Sequence, residues 1–218
     1  MRTISRLLIH QTLLVVATFF GYGTAFAGLL PPLVSGDILF QNSHSGQSDA
    51  VMKVTQSRFS HCGIYMVING KEMVIECAEG SNPQRFDKWI SRDGGRYLAM
   101  RLKLYPQGLP ASMAAKLKTA GERYGQQPYD WKFLWGNDES YCSELVWKAY
   151  DVLGVELCKL QHFRDFPIDR EPAKSELKRR FGSRQIPRNE PVVSPKRSLI
   201  VISSLLLGTR PVSEAIAV

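Results

Sequence analysis

The sequence predicts an α+β fold, an antiparallel sheet packed against a few helices, and three stretches carry that expectation. Two runs rich in Ile, Val and Tyr, 59–68 and 72–78, flank Asn69-Gly70, a pair that tolerates the positive φ angles of a two-residue hairpin. Met113, Leu117, Ala120 and Tyr124 recur at helical spacing before Gly125, which predicts a helix over 111–124. A further helix is expected from Ser140, a good N-cap residue, through Cys142 to Leu153.

Before these elements comes a targeting segment. Arg2 and Arg6 precede an apolar run from Leu7 to Phe26 that closes with Ala25-Phe26-Ala27, the small-x-small pattern of a signal peptidase site, followed by Pro31-Pro32. Residues 1–27 are therefore expected to be a signal peptide, with 28–218 forming one domain exported to the periplasm or cell envelope. The alternative is an uncleaved membrane anchor, because the run approaches the roughly 20 apolar residues of a span.

The remaining elements follow in order. Val34 to Phe40 reads as a turn feeding a strand, and Ala50, Val51 and Val54 mark a short helix over 47–56 with Asp49 near its positive end. After the hairpin, Tyr97 to Leu104 alternates apolar and basic residues as a half-buried strand does. An aromatic loop, 128–135, leads into the Cys142 helix. Residues 159–191 are charged and proline-bearing, and predict a solvated surface insertion with one short helix; Leu199 to Leu207 predicts a final packed strand or helix.

Composition narrows the function. The formal charge is +8, and residues 1–27 hold Arg2 and Arg6 with no acid, so the exported form carries +6. This modest, dispersed excess suits peripheral contact with an anionic envelope surface and gives little support to nucleic acid binding. Cys62, Cys77, Cys142 and Cys158 lack CxxC spacing, so neither a structural metal nor a cofactor is indicated.

The chemistry centres on Cys142. In the first turn of a helix, free backbone N–H groups and the dipole favour a thiolate and offer donors to an oxyanion. On the first hairpin strand stands His61. In the Asn69-Gly70 register Ile68 faces Lys71, which sets His61 opposite Ala78 and places Glu76 on the same face, diagonal to His61 at about 7–8 Å between backbones. A carboxylate there can orient the imidazole. Rival bases are His44 and His162, since His10 leaves with the signal, and rival acids are Glu72 and Glu79. The same register sets Cys62 opposite Cys77 on the other face, where an oxidising compartment permits a disulfide; the alternative is two reduced, packed thiols.

The combination Gly36-Asp37-Ile38, Ser60-His61-Cys62-Gly63-Ile64, Ile75-Glu76, Pro128-Tyr129-Asp130, Tyr141-Cys142-Ser143-Glu144-Leu145 and Val192-Val193-Ser194-Pro195 resembles the circularly permuted NlpC-type papain-like amidases of the YiiX and YaeF branch. The resemblance spans about Gly36 to Pro195. It implies a permuted papain-like fold, with the sheet against the nucleophile helix, and it maps nucleophile, base and orienting acid onto Cys142, His61 and Glu76. It also brings Tyr129 and Tyr141 near the nucleophile, as substrate-binding or packing residues. Asp130 and Glu144 match as well, yet each can simply cap a loop or pair with a cation.

Three functions follow. The first is a cysteine amidase on envelope peptides, working through a thioester. The second is an acyl-lipid transferase or thioesterase, as in the related lecithin retinol acyltransferase group, for which Trp131, Phe133 and Trp135 would suit acyl chains. The third is a binding module that keeps the cleft without the activity, against which the intact Cys, His and Glu set argues.

Overall fold

The computed structural model of the protein describes residues 32–45, 47–78, 82–136 and 138–197. The signal segment, Glu79 and the 199–207 run lie outside them. Among the described residues no helix is long and apolar enough to cross a membrane.

Strands β1 (Ile38–Gln41), β2 (His61–Ile68), β3 (Lys71–Ile75), β4 (Gln84–Arg85) and β5 (Leu98–Met100) form one antiparallel sheet in the order β4-β3-β2-β1-β5. Asn69 and Gly70 adopt φ of 51° and 71°, as a tight turn with the strands' own twist requires. The ladder therefore runs from Ile68 opposite Lys71 to Ile64 opposite Ile75, the register expected from the sequence.

Alternation along the strands divides the core in two. Ile38, Phe40, Ile64, Ile75 and Met100 pack with Leu117 and Leu145 from helices α3 (Ala111–Gly125) and α4 (Cys142–Asp151). Leu39, Tyr65, Val74 and Ala99 face the other way and pack on Trp89 of α2 (Phe86–Ser91). Because β1 and most of β2 are covered on both faces, they read as continuous apolar runs. Each fully buried large aliphatic contributes about 1.5–3 kcal/mol.

The first strand is anchored by charge. Arg101 reaches both carboxylate oxygens of Asp37, at 2.7 and 2.8 Å, while Asp37 also accepts the Val34 N–H. Asp37 is wholly buried and Arg101 nearly so, hence the pair locks the entry of β1 against the turn after β5.

Helix α1 (Ser48–Thr55) falls within the expected 47–56, and the strand expected over 97–104 is confined to β5. Residues 159–191 are more than a solvated loop. They form strand β6 (Gln161–His162), a 3-10 turn (Phe163–Asp165) and helix α5 (Ala173–Phe181), and β6 pairs with β7 (Pro191–Val192). Phe163, Ile168, Leu177 and Phe181 build a small core of their own, and α5 packs against α1.

Candidate active site

Cys142 is the first residue of α4. The helix begins one residue later than expected, because Ser140 is drawn into extended backbone: its N–H donates to the Pro128 carbonyl and its carbonyl accepts from Asp130 N–H. Tyr141, with φ −118° and ψ 166°, is then the N-cap, and Leu145 N–H closes the first helical bond onto Tyr141. Asp130 caps the aromatic loop by accepting the Lys132 and Leu134 N–H groups, and Glu144 pairs with Lys148 at 2.7 Å.

His61 opens β2 and is buried beside the cysteine. Its Nε2 lies 2.5 Å from Glu76 Oε2, so the other ring nitrogen is the one turned to Cys142, with which His61 also hydrogen bonds. Glu76 follows the last residue of β3. Two residues without a local sequence signal hold it: Trp89 Nε1 donates to Oε2 at 3.0 Å, and Arg92, at the end of α2, donates through both terminal nitrogens at 2.8 Å each. Gly63 permits this closeness, since a Cβ there would come within 2.6 Å of Val74 Cγ1 and 3.0 Å of the Ile75 carbonyl, beside Glu76.

The electrostatics follow from these contacts. Hydrogen bonding from the Cys62 thiol, and then the positive His61 ring, hold the Cys142 thiol well below the usual thiol range although burial works the other way. Burial disfavours a charged His61, but the Cys142 thiolate and then Glu76 outweigh it and raise its pKa to about 10. Burial would raise Glu76, yet His61 and Arg92 keep it at about 2. Cys142 and His61 thus form a thiolate–imidazolium pair backed by an ionised carboxylate.

The other expected site residues divide. Tyr129 accepts a hydrogen bond from Gln47 at 2.9 Å, and burial together with the Cys142 charge pushes its phenol well up. Tyr141 is almost fully buried; its hydroxyl accepts the Val193 N–H at 3.1 Å and its ring meets Phe133 edge-on. His44 binds Asp93 at the surface, His162 lies 3.6 Å from Asp165, and Glu72 accepts the Tyr65 hydroxyl.

Of the two states open to Cys62 and Cys77, a disulfide or two reduced, packed thiols, the structure has the second: both residues are free, buried thiols. The β2–β3 ladder ends at Ile75, so the two are not a paired position; Cys77 turns its thiol to the Ser140 carbonyl at 2.8 Å, and Cys62 gives its own to Cys142.

An open groove leads away from Cys142, walled by α1, α5 and residues 192–195. Among the described residues, no group of three or more His, Cys, Asp or Glu side chains is gathered to hold a metal ion.

Residues 33–199 match the family described as permuted papain-like amidase enzymes, YaeF/YiiX, C92. The chain belongs to this family. The family is one of cysteine peptidases and amidases, and its permuted papain-like fold is the one described above, with the histidine strand ahead of the cysteine helix. Protein YiiX of Escherichia coli strain K12 is 35% identical over 164 residues, covering 74% of this chain and 79% of that protein. The crystal structure of the metalloprotein YiiX from Escherichia coli O157:H7 superposes with a TM-score of 0.70 at 35% identity, over 81% of this chain and 95% of that one.

Proposed function

We propose that the protein is an exported cysteine hydrolase in which Cys142 is the nucleophile, His61 the general acid and base, and Glu76 the group that orients and charges the ring. The observation that carries this reading is the continuous hydrogen-bonded line from Glu76 through His61 to a buried cysteine at a helix N-terminus.

The Cys142 thiolate attacks the carbonyl carbon of an amide or ester, forming a C–S bond and an oxyanion. First-turn N–H groups of α4, which have no intrahelical acceptor, face that charge. The C–N or C–O bond then breaks as His61 gives its proton to the leaving group, and a thioester remains. Water next adds to the thioester carbon, its proton passing to the now neutral His61, and the C–S bond breaks to restore the thiolate and release the acid. Envelope peptides and acyl lipids both present such a carbonyl. The apolar run ahead of Ala25-Phe26-Ala27 supports export, and the basic excess of the exported form supports peripheral contact with an anionic envelope.

The test is intact-mass analysis of wild type and Cys142→Ala after brief exposure to an activated acyl ester and acid quenching. An acyl adduct mapping to Cys142 in wild type, absent from the variant, is the expected result. Turnover that survives Cys142→Ala overturns the proposal.

A further inference from the structure

We infer that Cys62 is a resolving thiol for Cys142, so that a hydroperoxide that oxidises the nucleophile leaves it in a reversible Cys62–Cys142 disulfide. The two cysteines are then a modification site. That the bridge silences turnover rests on the hydrolase reading; the bridge itself does not.

Cys62 follows the base directly, in Ser60-His61-Cys62-Gly63, on the strand against which α4 packs. It lies on the α4 side of the sheet, in the same buried cluster as Cys142. Its thiol donates a hydrogen bond to the Cys142 sulfur, and the N–H of the same residue reaches that sulfur too, beyond the end of the β2–β3 ladder at Ile64. The hydrolytic cycle has no use for a second thiol at this point.

Exposure sets the order of events. Cys142 is on the wall of the open groove, whereas Cys62 is wholly buried and takes no part in the lining. A small peroxide therefore meets Cys142 first, and a thiolate is the form of sulfur that attacks it.

The Cys142 thiolate attacks one peroxide oxygen. An S–O bond forms, the O–O bond breaks, and the departing hydroxide takes the His61 proton and leaves as water. Two electrons have passed from sulfur to oxygen, and Cys142 is a sulfenic acid. The Cys62 sulfur then attacks the Cys142 sulfur, forming the S–S bond as the S–O bond breaks, and the hydroxide leaves with the Cys62 proton as a second water. Sulfurs already in hydrogen-bond contact need only side-chain rotation to reach the ~2.05 Å of a disulfide.

The other two thiols are less well placed to resolve. Cys77 gives its proton to the Ser140 carbonyl at 2.8 Å, and Cys158 belongs to a separate cluster with Tyr141 and Val193. Capture by Cys62 protects the nucleophile: a dithiol reduces the bridge to both thiols, itself becoming a disulfide, whereas an uncaptured sulfenic acid proceeds irreversibly to sulfinic and sulfonic acids.

The experiment exposes the protein to excess hydrogen peroxide and maps its peptides without reduction. Cys62→Ser, which keeps a hydroxyl donor toward Cys142, is run beside wild type, with Cys62→Ala in reserve should the serine variant fold poorly. Wild type is expected to yield a Cys62–Cys142 linked peptide and to lose turnover of an activated ester, both reversed by dithiothreitol. After the same exposure the Cys62 variants should carry sulfinic acid at Cys142 and, relative to their own untreated rates, recover at least about tenfold less turnover than wild type. Sulfinic acid at Cys142 of wild type with no bridge overturns the inference, as does a bridge to Cys77 or Cys158, or recovery in the variants equal to that of wild type. A mapped Cys62–Cys142 bridge in protein that turns over no ester supports the modification site and counts against the hydrolase reading instead.

Discussion

Arg92 grips Glu76 with two parallel hydrogen bonds, one to each carboxylate oxygen, from a helix that packs on the face of the sheet opposite the cysteine helix. The acid beside His61 is thereby held from both sides. Arg92→Gln should lower stability at neutral pH by roughly 2–4 kcal/mol, because it leaves a buried carboxylate short of a partner. The sign with pH follows from a Glu76 pKa depressed to about 2: its contribution is present above the ordinary carboxylate range and is lost as pH falls through about 2. In Arg92→Gln that loss should begin at higher pH. Urea unfolding at neutral and acid pH measures both effects, and equal midpoints for the two proteins would count against the role given to Arg92.

Cys142 should be the fastest-reacting thiol. His61 is raised to about 10, so its charge, complete below the ordinary histidine range, is lost only as pH rises through about 10. The thiolate–imidazolium pair therefore spans neutrality. Iodoacetamide should label Cys142 at a nearly constant rate between about pH 6 and about pH 8, where an ordinary thiol gains about tenfold per pH unit. Equal rates at Cys142 and Cys158 in acid would contradict this.

His61→Ala should reduce turnover by about 10²–10⁴ with the fold intact, and Glu76→Gln by less, since it leaves the ring in place. His44→Ala should have little effect, because His44 pairs with Asp93 at the surface. A damaging His44 variant together with a benign His61 variant would reassign the base.

The Asp37–Arg101 pair predicts a stability effect remote from the thiol. Removing one partner, as in Asp37→Asn or Arg101→Met, should cost roughly 3–5 kcal/mol, and replacing both with apolar residues should recover much of it. Chemical unfolding of the two single variants and the double variant closes the cycle.

N-terminal sequencing of the exported form should find Gly28 first. Met1 retained in the membrane fraction would instead indicate an anchor.

Much of this arrangement was legible in the chain. A two-residue turn and the period of two suffice to bring His61 and Glu76 to one face, and the 2.5 Å contact follows from that register. The start of α4 was misplaced by one residue because Ser140 bonds to Pro128 and Asp130, a tertiary choice that the cap propensity of serine does not encode. Trp89 and Arg92 were missed because α2 is a six-residue helix whose contacts with Glu76 cross between elements. In 159–191 the charges hid four spaced apolar residues, Phe163, Ile168, Leu177 and Phe181. Periodicity left Cys62 and Cys77 open between a disulfide and two packed thiols; they are free thiols, and the ladder stops at Ile75 before Cys77 is reached.

The contacts that depress the Cys142 thiol come from Cys62 and His61, on a strand far earlier in the chain. A nascent or unfolded polypeptide therefore carries at this position a sulfur of ordinary reactivity. The Cys142 thiol gains its reactivity only when α4 docks on β2, so docking acts as the safety catch, and the chain can be synthesised without a reactive thiolate exposed along the way.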